Sequence, residues 1–427
     1  MACMTAPTQA SASRPADQPR PSQTTYRSVF AVGEFRVLFA AMLMYVLGFE
    51  FEILGLSVIV FVQTRSPFLT ALAFSMGFAP QAIGGALFSS LADRLPARLV
   101  IGAGLLIRAV PGLVIGLIPV MPVPATLAVV GLVAATAPVF TAGISRLLPD
   151  VLDADRYILG RSVFNLTGSG TQILGLGLGG AILAAVPARW LLLAAGGSLT
   201  TAAVIARLGL RRGGARAGRV RGVVRATVAG NIELFSDRTV RGLLLAQWLP
   251  MWFVSGAESL IVPYAGSLGR PASAAGPLLA AVPAGMLAGE ILVGRFCSPG
   301  LRNRLAFPLA AAMGVPLLVL WLRPPLLLAG LALLACGSGF AFELGIQQAF
   351  LHSVPERRRG QAFGLNSTGA MGGQGLAPAV IGALGGALGP GAAMTIAGAA
   401  TILAALALRA PLRGARAHPT ANPTSTL

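Results

Sequence analysis

Long apolar runs recur along this chain and are separated by short polar, glycine or proline breaks. A helix needs about 20 predominantly apolar residues to cross the roughly 30 Å of hydrocarbon in a bilayer. Twelve runs meet this requirement, and the pattern therefore predicts an all-α integral membrane protein with twelve transmembrane helices. The predicted spans cover residues 38–61, 68–91, 99–120, 124–146, 162–185, 189–209, 241–264, 273–294, 305–321, 325–349, 361–386 and 391–409.

The longest interior break divides these spans into two groups of six. It lies near residues 210–240 and begins with a cluster of arginines, which indicates a linker outside the membrane. The ends of the chain are poor in apolar residues, and the first is rich in Pro, Ser, Thr and Gln, so both are expected to be disordered. The predicted parts are a cytoplasmic tail (1–30), an N-terminal half (31–210), a cytoplasmic linker (211–240), a C-terminal half (241–410) and a second cytoplasmic tail (411–427).

The charge distribution supports this topology. The formal net charge is +18, and all 32 basic residues are arginines. With the N-terminus inside, 27 arginines fall on the cytoplasmic side and four, Arg65, Arg189, Arg270 and Arg323, fall on the other; Arg108 lies within a span. This bias follows the positive-inside rule and predicts a multi-pass protein of the cell membrane with both termini cytoplasmic. The basic charge is thus explained by the lipid bilayer, and nucleic acid is not expected as a partner.

The two halves also look like a repeat. At a constant offset of 201 residues, Gly84 corresponds to Gly285 and Arg94 to Arg295. At the same offset, Asp155-Arg156 corresponds to Glu356-Arg357, and Thr167-Gly168 corresponds to Thr368-Gly369. Parallel repeats of six helices are a known transporter design, with the binding site between the halves near the middle of the membrane.

The loop between spans two and three resembles a known family. Residues 89–98 read Ser-Ser-Leu-Ala-Asp-Arg-Leu-Pro-Ala-Arg, which is similar to the signature of the major facilitator superfamily in that loop. Segments such as Asp155-Arg156-Tyr157, Pro355 to Gly364 and Ala257 to Tyr264 resemble the actinobacterial-type drug-exporter branch, the drug:proton antiporters. The resemblance implies two six-helix halves, a cavity lined by spans one, four, seven and ten, and a gating role for Asp93, Arg94 and Arg98.

Acidic residues in the predicted spans are the main candidates for function. A charged residue at the centre of a span costs about 2.5–3.5 kcal/mol on insertion scales, so such residues usually face water or a partner. Glu50 and Glu52 lie on span one, Glu258 on span seven and Glu343 on span ten. Glu50 and Glu52 are about 200° apart around a helix, so only one can face the cavity squarely. We expect one of them, with Glu258, to bind a proton or a cationic substrate; the alternative is packing alone.

Other residues within spans complete the set. Arg108 on span three needs a partner, for which Glu50 or Glu52 is the natural candidate in an intramembrane ion pair. Trp248 and Trp252 lie on one face of span seven and could stack on a substrate or simply pack. Gln347 on span ten is a candidate for the cavity.

Composition excludes several other kinds of site. Cys3, Cys297 and Cys336 are far apart, and His352 and His418 fall outside the spans, so no metal and no cofactor are expected. An ATP-driven pump would need the lysine of a phosphate-binding loop, and the chain contains no lysine. The preferred prediction is a non-enzymatic, monomeric secondary transporter that exports a small hydrophobic or cationic molecule in exchange for protons. A proton-coupled importer is the alternative, and a membrane-embedded enzyme is less favoured.

Overall fold

The described part of the protein is nearly all helical. A computed structural model describes residues 25–92, 96–118, 120–211 and 223–414. The first half contains α1 (Tyr26–Phe30), α2 (Gly33–Thr64), α3 (Pro67–Ser75), α4 (Ala79–Ala92), α5 (Ala97–Leu117), α6 (Val123–Ala134), α7 (Ala137–Val151), α8 (Ala154–Ala185) and α9 (Ala188–Gly209). After α10 (Val223–Ser236), the second half contains α11 (Arg238–Glu258), α12 (Ile261–Ser267), α13 (Ala275–Phe296), α14 (Pro299–Ala312), α15 (Val315–Leu318), α16 (Leu326–Ser338), α17 (Phe342–Ser353), α18 (Arg359–Leu388), α19 (Pro390–Ala407) and α20 (Arg409–Gly414).

The helices correspond to the twelve predicted spans. In the described ranges, eleven of these spans are long and apolar enough to cross a membrane. Some of them combine two consecutive helices across a short turn. The remaining predicted span, the seventh, is formed by α11 and α12, which are separated by a turn at Ser259 and Leu260. The span carries Gln247 and Glu258 as well as two tryptophans, which makes it more polar than its neighbours.

Within each half, the helices pack closely against one another. In the first, α9 packs against α2 and α5, and α2 also packs against α8. In the second, α11 packs against α18 and α19, and α13 packs against α16. Small residues allow the closest approaches: a Cβ at Gly84 would overlap the backbone of Ala135, and one at Gly285 would overlap that of Leu334. The repeat-related glycines thus make the same kind of contact in both halves.

The two halves meet through two pairs of helices. Helix α8 of the first half packs against α13 of the second, and α18 of the second packs against α3 and α4 of the first. The 201-residue offset relates α8 to α18 and α4 to α13, so the two contacts are counterparts. This is the arrangement expected for parallel repeats related by an axis along the membrane normal.

The contacts between halves concentrate at one end of the molecule. We call the end where α1, α10 and α20 lie the proximal end, and the opposite end, formed by the turns at 65–66, 186–187 and 268–271, the distal end. Near the distal end, Gly180 packs on Gly276, and Gly382 packs on Ala71. Toward the proximal end, a Cβ added at Gly168 or Gly364 would meet no described atom within 4 Å. The halves are therefore closed together distally and more open proximally.

The predicted linker contains an ordered helix. Helix α10 docks on the start of α18, where Glu233 Oε1 lies 2.7 Å from the guanidinium of Arg358, and Gln361 donates a 3.1 Å hydrogen bond to Asn231. The hydrogen bond from Arg358 lowers the pKa of the exposed Glu233 carboxyl below its ordinary value. Residues 212–222 of the linker, like both predicted tails apart from residues 25–30 and 411–414, lie outside the described ranges.

Candidate functional site

A central cavity lies between the two halves. It has a volume of about 220 Å³ and is lined by side chains from α2, α3, α8, α11, α13 and α18 together with the turns that interrupt spans two and ten. Most of the lining is aromatic or otherwise apolar, and a few polar groups converge on it. The aromatic and methionine residues of the lining are Phe49, Phe74, Phe78, Phe340, Met251 and Met286; the polar ones are Glu50, Glu258, Gln172, Gln374 and Ser255.

Two carboxylates from different halves face this cavity. Glu50 comes from the middle of α2, and Glu258 is the last residue of α11, at the break before α12. Both side chains line the same cavity of about 220 Å³. Gly175 permits the close packing of α8 against α2 here, since a Cβ at this position would lie 3.1 Å from the Cβ of Glu50. One acid per half thus points into a small, mainly apolar space.

Glu52 points away from the cavity and is paired. Its Oε1 accepts a 3.0 Å hydrogen bond from the Arg108 guanidinium on α5, and both side chains are 3% exposed. The guanidinium also lies over the ring of Phe49, 5.2 Å from its centroid. A buried ion pair with these supports joins the first and third spans, whereas Glu50 is left to the cavity.

Glu343 and Gln347 lie proximal to the cavity. They follow Phe340 along span ten at spacings of three and four residues, which places all three on one face of the helix. Both side chains are exposed, and neither is among the residues that line the cavity itself. Glu290 of α13 is an exposed acid near the proximal end of its helix. These two carboxylates mark the more open proximal part of the second half.

Trp248 and Trp252 pack against α18. Their indole rings are stacked on each other, with centroids 5.8 Å apart and planes 10° apart. A Cβ at Gly369 or Gly373 would overlap the rings of Trp248 and Trp252 respectively, so the two glycines form a groove for them. Trp248 Nε1 donates a 2.9 Å hydrogen bond to Asn366. Neither ring lines the central cavity, and stacking on a substrate stays a prediction.

Only one of the three predicted gating residues can be described. Asp93 and Arg94 lie outside the described ranges. Arg98, at the start of α5, donates a hydrogen bond to the carbonyl of Arg207 in the last turn of α9. A cation in this position compensates the partial negative charge of a helix C-terminus. The contact ties the proximal ends of α5 and α9 together, and its role in gating stays a prediction.

Several functional side chains give little signal in the sequence. The sequence does not predict the aromatic lining of Phe49, Phe74, Phe78 and Phe340, because apolar residues in a span give no signal of whether they face lipid, protein or a cavity. The predicted site residues also do not include Arg302, which donates to the carbonyls of Cys297 and Gly294 at the C-terminal end of α13. Basic residues just beyond a helix end are a recognisable capping signal and could have indicated this contact.

Two six-helix bundles related by a parallel repeat, with a cavity between them, define a secondary transporter fold. The chain belongs to the Major Facilitator Superfamily, whose family profile matches residues 30–354. No curated protein sequence matches the chain.

Solved transporter structures share the fold at low sequence identity. A bacterial homolog of the human lysosomal transporter Spinster, in an inward-facing and unoccupied conformation, is 17% identical with a TM-score of 0.66; the match covers 90% of this chain and 97% of that one. A peptide transporter POT in complex with sulfate is 13% identical with a TM-score of 0.70, covering 92% and 96%. These likenesses establish the shared architecture and leave the substrate to be argued from the site.

Proposed function

We propose that this protein is a proton-coupled exporter of small hydrophobic or cationic molecules. The observation that carries the proposal is the placement of Glu50 and Glu258, one from each half, in a single cavity of aromatic and methionine side chains. Methionine and aromatic walls adapt to varied apolar ligands, and a carboxylate can balance a ligand's positive charge.

Two facing carboxylates give a simple basis for exchange. When both are ionised in an apolar cavity, their mutual repulsion favours occupation by a positive charge. A proton and a cationic substrate would both satisfy this requirement, and they would compete for it. Binding of protons from one side would then promote release of the substrate on that side, and the halves would alternate around the fixed site.

Orientation and assembly complete the proposal. The excess of arginines on the proximal loops supports a cytoplasmic location for the proximal end and both termini. The protein would then lie in the cell membrane with its central cavity more open toward the cytoplasm, the side from which an exporter collects its substrate. Each half contributes one acid of the proposed pair, so one chain suffices and we propose a monomer.

An importer of the same fold is the second candidate. Gln172 and Gln374 also line the cavity, and together with the two acids they could bind a more polar solute. In that case the proton and the solute would move in the same direction.

The direction of coupled proton movement separates the two candidates. The experiment uses inside-out vesicles that contain a pH-sensitive dye, an imposed proton gradient, and a panel of cationic and neutral compounds. We expect compounds to cause proton leakage from acidified vesicles with the wild type, and Glu258→Gln or Glu50→Gln to abolish it. Glu356→Gln, which alters an exposed acid paired with Arg359, is the matched control and should retain leakage.

Two results would contradict the proposal. Leakage that is unchanged in both cavity variants would leave export in place but reject the carboxylate mechanism. Proton movement in the same direction as the compound would reject export and support the importer.

A further inference from the structure

We propose that a phospholipid with an anionic headgroup binds at the distal end, across the junction of the two halves. Its headgroup would lie among Arg65, Arg189 and Arg270, and an acyl chain would occupy the adjoining apolar groove. The proposal is independent of the transported substrate and of the direction of transport.

The first observation concerns charge. None of the acidic residues in the described ranges lies in the distal turns; they are within spans or toward the proximal end. Among the described residues, the four distal arginines therefore have no carboxylate at their own end of the molecule to balance them. Arg65 and Arg189 instead lie beside the aromatic rings of Phe61 and Trp190, each with its guanidinium carbon 5.8 Å from the ring centroid.

The second observation is that three of these four arginines converge on two adjoining cavities. Arg65 and Arg270 line one of about 270 Å³, and Arg189 lines the other, of about 380 Å³. Val58, Val62 and Ala272 belong to both cavities, which makes them neighbours. The fourth arginine, Arg323, lines neither of them.

The third observation is the chemistry of the larger cavity. Its wall is almost wholly aliphatic, with side chains from α2, α5, α6, α8 and α9; the polar side chains are Gln63, Thr126 and Arg189. Val62 and Ile118 in this wall are 56% and 44% exposed. An aliphatic groove with a polar, cationic rim at a membrane surface matches an acyl chain joined to a negative headgroup.

The groove spans the junction between the halves. Most of its wall belongs to the first half, whereas Ala272 and the Arg270 turn belong to the second. This is also where Gly180 packs on Gly276 to close the distal end. A lipid held by both halves would stabilise the distally closed arrangement and would be lost when the halves separate there.

Lipid retention measured by native mass spectrometry tests the proposal. The full-length protein is purified with equal amounts of phosphatidylglycerol and phosphatidylcholine, and the bound lipids are titrated. We expect the wild type to prefer phosphatidylglycerol. The double variant Arg65→Gln/Arg270→Gln should lose affinity for it by about fivefold per arginine, since each basic residue at a membrane surface contributes about 1 kcal/mol.

Two further variants make the result specific. Arg323→Gln is the matched control, because Arg323 shares both the distal end and the left-handed backbone conformation of Arg65, with φ values of 50° and 53°. It should retain wild-type binding. Val62→Trp keeps every charge but places a bulky indole at an exposed position in the wall that the two cavities share. It should also weaken phosphatidylglycerol binding.

Three results would overturn the proposal. If Arg323→Gln lost as much phosphatidylglycerol affinity as the double variant does per arginine, the binding would reflect general charge attraction rather than a site. Unchanged binding in both the double variant and Val62→Trp would exclude this groove. Displacement of the lipid by excess inorganic phosphate, with no effect of Val62→Trp, would indicate a simple anion site without a chain-binding groove.

Discussion

At the scale of single residues, Glu50 and Glu52 have different environments although only one residue separates them. Glu50 faces the cavity between the halves, and Glu52 forms a buried ion pair with Arg108. The second carboxylate oxygen of Glu52 and the Nε of Arg108 are buried without a hydrogen-bond partner among the described residues. The direct contact between the two charged groups joins Glu52 Oε1 to an Arg108 Nη atom, and loss of either partner would leave a buried charge.

The first prediction concerns this ion pair. Arg108→Met should lower the free energy of unfolding by about 3–5 kcal/mol, because Glu52 would remain buried and uncompensated. The double variant Glu52→Leu/Arg108→Met removes both charges at similar volume and should recover most of that loss. Thermal unfolding in detergent of the wild type, both single variants and the double variant measures the coupling. A loss of unfolding free energy in the double variant equal to the sum of the losses in the two single variants would contradict the prediction.

The sequence predicts that a cavity acid and an intramembrane ion pair exist, but it does not predict their geometry. The 200° separation of Glu50 and Glu52 predicts that one acid faces away from the cavity, and an arginine in the third span predicts an acidic partner. Which acid takes which role depends on the rotation of α2 against α5 and α8, and that rotation is set by packing at positions such as Gly175. The phenylalanines of the cavity depend on the same rotation, so spacing alone does not reveal them.

At the scale of helices, the membrane-crossing segments are more predictable than the full helices. Helix α8 begins at Ala154, whereas the apolar run predicts a start near 162. The difference arises because polar residues such as Arg156 and Arg161 continue the helix beyond the bilayer, where hydropathy no longer reports it. The same applies to α10, an ordered helix in a segment that composition identifies only as a linker.

The second prediction concerns the contact between α11 and α18. Gly373→Ala should destabilise the protein by about 1–3 kcal/mol, because the added methyl group would overlap the Trp252 ring and overpack the interface. Gly372→Ala is the matched control, since a Cβ there would meet no described atom within 4 Å. The melting temperature in detergent is the measurement. Trp252→Leu in the Gly373→Ala background should restore part of the lost melting temperature. Equal melting temperatures of the Gly373→Ala and Gly372→Ala variants, with no recovery by Trp252→Leu, would reject this packing.

At the scale of the whole molecule, the closed distal end depends on small residues at the junction of the halves. Gly180 and Gly276 bring α8 and α13 into backbone contact, and Gly382 lets α18 pack closely on the Ala71 side chain of α3. Bulky residues at these positions would hold the halves apart distally. In the proposed mechanism, the halves rock about the central cavity between distally and proximally closed arrangements.

The third prediction follows from this contact. Gly180→Leu should disfavour the distally closed arrangement by about 1–2 kcal/mol, which changes its population ratio about five- to thirtyfold. Ser367→Cys in a cysteine-free background reports on the proximal opening, because residue 367 is exposed and shares a helix face with Gln374 of the cavity. In the Gly180→Leu variant, maleimide labelling at this cysteine should be slower than in the reference protein, because the proximally open arrangement is less populated.

Gly177→Leu provides the comparison for this experiment. Gly177 lies on the same helix, but a Cβ there would meet no described atom within 4 Å. Labelling in that variant should match the reference protein. Equal labelling in the Gly177→Leu and Gly180→Leu variants would show that the Gly180 contact does not control the arrangement of the halves.

The stacked pair of Trp248 and Trp252 has an optical consequence. Two nearly parallel indoles with centroids 5.8 Å apart are close enough for their excited states to couple, whereas Trp190 and Trp321 are exposed elsewhere. The pair should therefore dominate the near-ultraviolet circular dichroism of the protein. Because α11 and α18 belong to the same half, this signal would stay constant if each half moves as a rigid body. A change of the signal on addition of substrate would reveal bending within the second half, without any attached label.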